Sequence, residues 1–331
     1  MPKLRFKLPL PGRFTSGILI SIVLGLLLPC HGGVATGFGY VTEAAIILLF
    51  FLYGVKLSRH AVWEGITHWR LQGLVLFFTF AFFPLITGLC SPLLSPLVGA
   101  PLYAGMLYVA CLPSTVQSSI AFTSVAGGNV PAAVCSASIS SLLGVFFTPL
   151  LVSLVFAHDS AAGASVGLSA VLTISYQILL PFALGQFVQS RLKPWVEAHK
   201  PLISLNDQLT IWLVVYTSFS SATVQGYWQQ LDSLHLAGLI AVCLILLGII
   251  QLSIYAVCKL LRFNLADSIT ILFCGSKKSL AVGAPMMLAI FGTLDNNLLL
   301  PLMVFHQVQL MLCAHLAARW HKKSQNASQT L

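Results

Sequence analysis

The sequence predicts an all-α polytopic membrane protein: ten transmembrane helices forming two inverted five-helix repeats, with helices 4 and 9 broken. Three observations carry this. The 331 residues are 57% hydrophobic and 8% charged, whereas a soluble domain carries about 25% charged residues. A chain of this length folded in water needs far more charge to cover its surface. A soluble enzyme, a nucleic-acid-binding module and a disordered chain are thereby excluded. The other two observations are where the basic residues fall and which apolar runs are interrupted.

About 20 apolar residues span the hydrocarbon core as a helix, and in lipid nearly every backbone polar group must be bonded internally. Ten segments qualify, at 15–30, 38–57, 69–90, 101–125, 130–156, 166–190, 204–224, 234–260, 267–291 and 297–320. Segment 1 follows Lys3, Arg5, Lys7 and Arg13 as a signal peptide would, yet no small-residue cleavage site comes after it. The run LLPC at 27–30 is a poor lipoprotein box, because Pro29 stands where a small residue is needed.

The net charge of +9 reads as topology rather than nucleic-acid binding. Basic residues cluster before segment 1, at Lys56, Arg59 and Arg70, and at Arg191, Lys193 and Lys200. They recur at Lys259 and Arg262, and at Arg319, Lys322 and Lys323. The opposite loops carry Asp159, Asp232 and Asp295 and no Lys or Arg. Ten helices put every basic loop on one side, with both termini cytoplasmic. Glu43 and Asp207 lie near helix ends, where exposure to headgroups is expected. The eight cysteines mostly fall in apolar runs without metal-ligand spacing, so neither a disulfide framework nor a zinc site is expected.

The polar loop at 157–166 divides the chain into residues 1–156 and 166–321, followed by a polar tail at 322–331. Each half holds five helices. An odd number gives similar halves opposite orientation, the inverted repeat of many secondary transporters.

The interruptions fall in the fourth segment of each half. Segment 4 carries Pro113 followed by Ser114, Thr115, Gln117, Ser118 and Ser119. Entering near Leu102, the chain reaches Pro113 about 15–18 Å in, the middle of a ~30 Å core. Proline removes a backbone hydrogen bond, and the next turn presents free N–H groups with partial positive charge. Segment 9 carries Gly275, Ser276, Lys277, Lys278 and Ser279 at similar depth. Each lysine at a helix centre costs about 2.5–3.5 kcal/mol on insertion scales, so it needs a partner or a wet cavity. Neighbours diverge by about 100°, so the two lysines take different roles. Lys278 is assigned to the cavity and Lys277 to carbonyls or the cytoplasmic vestibule; in the bland alternative both lie shallow and snorkel.

Matched interruptions point to a transport site at the repeat interface. The remaining candidates are Thr79, five residues before Pro84; Asn129 in the turn after segment 4; Ser136 and Ser140 on segment 5; and His306 and Gln309 on segment 10. For the serines of segment 5, packing competes with a site role, and for His306 the two readings are balanced.

The blocks PSTVQSSIAFTSVAGGN at 113–129, FCGSKKSLAVGAP at 273–285 and LPLMVFHQVQ at 300–309 resemble the bile acid:sodium symporter superfamily. They are most similar to the branch of member 7 of solute carrier family 10 and its bacterial relatives. The resemblance implies a panel of helices 1, 2, 6 and 7, a core of helices 3, 4, 5, 8, 9 and 10, and crossing of helices 4 and 9 at their breaks. It also implies a bacterial inner membrane. Ser118 and Ser119 fall where the bile acid branch ligates sodium, and Thr79 where it has a sodium-binding glutamine. The departure is on helix 9, which has no carboxylate from Ser268 to Leu294 and carries Lys277-Lys278-Ser279 instead. Ala133 and Ala137 stand where hydroxyl ligands are expected, for which Ser136 and Ser140 are candidate substitutes.

The function expected is a secondary active transporter for a small or amphipathic organic anion. Sodium coupling is in doubt, because a lysine ammonium can take the cation's place. No cofactor is expected beyond sodium or a proton as coupling ion. The partners are the anion and the bilayer, not nucleic acid, and the oligomeric state is left open. A channel or regulatory protein affecting calcium or lipid-linked sugar handling is the alternative. No paired carboxylates or zinc motif support an enzyme.

Overall fold

The computed structural model describes residues 13–56, 68–156, 180–230, 232–292 and 295–329, and among them there is no β-strand. The loop at 157–166, most of segment 6, and Lys3, Arg5, Lys7, Arg59 and Asp159 lie outside the described residues. The first helices are α1 (Arg13–Leu27), α2 (Gly32–Lys56) and α3 (Trp69–Leu89), the last containing a π turn over Phe78–Phe82. Then come α4 (Ser91–Val98), α5 (Ala100–Cys111), α6 (Gln117–Val125) and α7 (Val130–Phe156). The second half has α8 (Leu180–Phe187), α9 (Gln189–Ala198), α10 (Lys200–Val224) and the single turn α11 (Tyr227–Gln230). It ends with α12 (Ser233–Leu260), α13 (Leu265–Gly275), α14 (Leu280–Phe291) and α15 (Asn296–Gln329).

Among the described residues, α2, α3, α7, α12 and α15 through Trp320 are long and apolar enough to cross a membrane by length and composition. Helix α10 is equally long but opens on Lys200, Asn206, Asp207 and Gln208, so its apolar stretch is confined to its later turns. Segments 4 and 9 are each two half-helices. Three expectations change. The stretch after segment 3 is a helix (α4), started by Pro92 in its first turn and ended by Gly99 at φ 81°. The basic loop after segment 6 holds α9, which buries Val196. The polar tail is helical to Gln329, continuous with segment 10.

Leu27, Leu93, Phe187, Leu252 and Met311 project outward. In water so much exposed apolar surface would drive aggregation, whereas hydrocarbon solvates it. Helix α1 packs on α10, and α2 packs on α8 and α10. A second group joins α5 to α15, α12 to α4 and α15, and α13 to α3, α6 and α7. The groups meet mainly where α10 lies on α14 and α15.

The break in segment 4 has a local cause. Pro113 cannot donate to Val109 and forces its predecessor out of the helical region; Leu112 is extended, at φ −78° and ψ 155°. In segment 9, Gly275 has no left-handed φ and closes α13 as an ordinary helical residue. The break there is Ser276–Ser279, and Ser279 caps α14 by accepting from Val282 N at 3.3 Å. The two breaks satisfy each other: Ser279 N donates to Pro113 O at 2.9 Å, and Ser119 Oγ donates to Phe273 O at 3.1 Å. Tyr108 OH donates to Gly283 O at 2.6 Å.

Helix α7 reaches this crossing because Gly144 has no side chain: a Cβ there would lie 2.6 Å from the Pro113 ring. A proline ring cannot rotate away. Gly144→Ala is therefore expected to cost about 1–3 kcal/mol of stability through overpacking. Gly73→Ala, with nothing within 4 Å of its Cβ position, should be neutral or mildly stabilising. Thermal unfolding of the two purified variants checks this, and equal melting curves would refute so close an approach.

Candidate functional site

Lys277 and Lys278 are both fully buried. Lys278 Nζ donates to the carbonyls of Thr79 at 2.6 Å, Ala110 at 2.7 Å and Leu112 at 2.8 Å, with the Phe83 ring 4.5 Å away. The three N–H donors of an ammonium are thus matched by three oxygens. Each oxygen is free for a reason in the chain. Ala110 and Leu112 lie at the end of α5, where carbonyls lack helical donors and carry partial negative charge. In the π turn of α3, Phe83 N–H bonds to Phe78 O, five residues back. In that register the next donor, to Thr79 O, would be residue 84, which is proline and has no N–H.

Gln309 fixes the backbone of the same lysine. Its Oε1 accepts from Lys278 N at 2.8 Å, and its Nε2 donates to Lys278 O at 2.7 Å. Nε2 is also 2.9 Å from His306 Nδ1. An amide nitrogen only donates, so Nδ1 accepts and the imidazole proton resides on Nε2.

Lys277 turns the other way. Its Nζ donates to Ser118 Oγ at 3.2 Å and lies 4.1 Å from the Phe122 ring centre and 5.7 Å from that of Phe273. Ser118 Oγ is also 2.8 Å from Thr115 Oγ1, and Thr115 Oγ1 is 3.2 Å from Ser119 Oγ.

Beside this cluster is a cavity of about 640 Å³, within the size range of small-molecule sites. Thr115, Gln117, Ser118, Ser138, Ser141 and Ser279 give it a hydroxyl- and amide-rich wall. Leu142, Val145, Phe182, Ile211, Val282 and Leu310 give it an apolar one. His306 reaches it from α15, and Tyr53, Lys56, Asp207 and Gln208 line it from α2 and α10. The first turns of both α6 and α14 border it, bringing two half-helix N-termini to one space.

The structure redistributes the expected roles. Lys278 does not line the cavity; it is the lysine turned to carbonyls, and they belong to segments 3 and 4. Asn129 is also away from the cavity. Its Nδ2 donates to Asp267 Oδ1 at 2.8 Å and its Oδ1 accepts from Ala132 N at 3.1 Å, tying the segment 4–5 turn to the start of α13. Ser136 and Ser140 are buried, Ser140 Oγ accepting from Ser114 N at 3.0 Å, whereas Ser138 and Ser141 reach the cavity. Ser276 is spent on Leu272 O at 2.6 Å. Ser114 lies 3.5 Å from Ser119 through their hydroxyls, and Thr79 Oγ1 is buried without a hydrogen bond. Asp207 is not exposed to headgroups: it pairs with Lys56 at 2.7 Å on the cavity wall. Sequence reasoning missed this pair because its members are 151 residues apart. Their shared signal was a charge within a turn or two of a segment end. All eight cysteines are free thiols.

The chain matches the SBF-like CPA transporter family over residues 12–322. It is 48% identical over 323 residues to the Pseudomonas aeruginosa protein PA2026, covering 97% of this chain and 96% of that one. It is 46% identical over 313 residues to YfeH of Escherichia coli strain K12, which is named as a candidate symporter, covering 94% and 93%. It is 30% identical over 308 residues to sodium/bile acid cotransporter 7 of Mus musculus, covering 90% and 89%. With its apolar helices, broken segments and a cavity lined by both polar and apolar side chains, this chain belongs to the SBF-like CPA transporter family and is a multi-pass membrane transporter of the bile acid:sodium symporter type.

Proposed function

We propose that the protein is a secondary active transporter that moves a small or amphipathic organic anion by alternating access, without sodium at the family's cation positions. The observation that carries the reading is the cavity. One wall has hydroxyls and the N-terminal turns of α6 and α14, whose partial positive charge favours an anion. Lys56 also lines the cavity, and the apolar side chains of the same lining suit an amphipathic body.

In this reading segments 1, 2, 6 and 7 form the panel and the other six the core, as two inverted repeats over 1–156 and 166–321. The packing of α1 and α2 on α10, apart from the α3, α5–α7 and α12–α15 group, supports that division. Both termini are cytoplasmic, in a bacterial inner membrane, as the basic loops favour. At the far end from Lys56, Ser218 Oγ donates to Asn296 Oδ1 at 3.2 Å and Tyr227 OH to Asn297 Oδ1 at 3.0 Å. In this reading these contacts belong to the outer end, which favours a cavity on the cytoplasmic half.

Of the residues that the resemblance assigns to sodium, Ser118 is met through its hydroxyl by Lys277 Nζ and Thr79 through its carbonyl by Lys278 Nζ, while Ser119 donates to Phe273 O. Among the described residues no carboxylate pairs with either lysine. The local charge therefore has the wrong sign for a second cation. A thermal-shift panel of bile salts and short carboxylates, with sodium or choline as cation, tests the reading. An anion that binds only the folded protein adds about 2.7 kcal/mol at a hundred times its dissociation constant. The expected result is a stabilising anion with equal effect in both salts. Stabilisation that needs sodium steeply would remove the sodium-free part. A panel without any stabilising anion, with saturation-free ion current in bilayers, would favour a channel.

A further inference from the structure

The two lysines differ in what their surroundings can accept. Three carbonyls around Lys278 Nζ can only accept hydrogen bonds, so they match an ammonium and have no donor for an amine's lone pair. Lys277 faces a hydroxyl, and a hydroxyl serves either form: Ser118 Oγ accepts from an ammonium or donates to an amine. The two aromatic rings attract a cation through their faces, and they pack equally well against a neutral amine's alkyl stem. Only Lys277 therefore has an environment compatible with both charge states.

It also has a route to the cavity. Ser118 and Thr115 both line the cavity, 2.8 Å apart through their hydroxyls, and Ser118 is the partner of Lys277 Nζ. The other titratable groups facing Lys277 are Cys274 on α13 and Cys313 and His306 on α15, with Lys278 next in the chain. Among the described residues none of these is a carboxylate that would hold the ammonium permanently charged.

We propose that Lys277 is a reversible proton-binding site, reached from the cavity through Ser118, and that the proton is the coupling ion of this transporter. The step balances through the hydroxyl: Ser118 gives its proton to the Lys277 amine while its oxygen takes one from a hydronium in the cavity, which is left as water, and release runs the sequence backwards. An occupied site places a positive charge behind the N-terminal turn of α6, where an anion in the cavity offsets it. Proton and anion then favour each other's binding, and by linkage the preference is mutual. The coupling role rests on the anion reading of the cavity; the proton site does not.

The test uses full-length purified protein and needs no substrate. Potentiometric titration of wild type and Lys277→Met, over the pH range in which both stay folded, should differ by one proton. Superimposed curves overturn the proposal. Should Lys277→Met fail to fold, wild type labelled with ¹³C at lysine Cε gives the same answer. The Lys277 resonance, identified by its displacement in Ser118→Ala, is expected to move with pH while that of Lys278 stays fixed. A Lys277 resonance that does not move over the folded range, or a Lys278 resonance that moves in its place, overturns it as well.

Discussion

Lys278→Ala is expected to destabilise the purified protein by about 3–5 kcal/mol in sodium-free buffer, because it removes the donor of three buried acceptors at once. The substitution leaves the Thr79, Ala110 and Leu112 carbonyls without their donor. Each buried, unsatisfied polar group costs about 1–3 kcal/mol. None can recover a helical donor, because α5 has ended and residue 84 is proline. The ammonium also ties segments 3, 4 and 9 at one point, so the variant should loosen the crossing as a whole. Three converging carbonyls are an oxygen cage for a hard cation. Sodium is therefore expected to restore part of the lost stability in Lys278→Ala while leaving wild type indifferent. Lys278→Arg should not rescue, since a planar guanidinium does not fit a site shaped for a compact ammonium. Melting curves in sodium and choline decide the matter. A variant as stable as wild type, or a wild type stabilised steeply by sodium, would show that the lysine does not stand in for a cation.

The second large effect concerns binding rather than stability. Lys56 and Asp207 are 2.7 Å apart, with side chains 32% and 22% exposed, so solvent screens the pair and it contributes only about 0–1 kcal/mol to folding. Among the described residues Lys56 nevertheless is the one lysine on the cavity wall, its ammonium 5.2 Å from the Tyr53 ring centre. An incoming anion competes with Asp207 for it. Lys56→Ala should weaken binding of the most stabilising anion of the thermal-shift panel at least tenfold, about 1.4 kcal/mol. Asp207→Asn should strengthen it by a comparable factor, because the competing carboxylate loses its charge. Both variants should fold normally. Calorimetric titration of the pair checks the opposite signs. Unchanged affinity in Lys56→Ala would leave anion recognition to the half-helix N-termini alone.

How far the site was legible varies with the kind of signal. The breaks were legible because their causes are local: a proline and its predecessor obey backbone sterics wherever they occur, and a run of polar residues inside an apolar segment cannot be solvated by lipid. That the lysines differ in role followed from helical angle. That neither of them lines the cavity did not, because angle fixes their divergence and not the direction of either. The five-residue spacing of Thr79 and Pro84 was visible, but its meaning depends on a π turn in α3, which packs against α5 and α7. The Lys56–Asp207 pair and the exchange of Ser136 and Ser140 for Ser138 and Ser141 depend on how separate helices are rotated against one another. No single segment contains that information.

The sequence by itself determined that the chain is an all-helical membrane protein, broken in segments 4 and 9, with two lysines too costly to be incidental. These follow from properties carried residue by residue: hydrocarbon excludes charge, and proline lacks an N–H. The tertiary structure decided where each ammonium is satisfied and which polar side chains share a cavity. Those outcomes require acceptors freed on one segment to meet donors on another far away in the chain, and only packing brings them within hydrogen-bond distance.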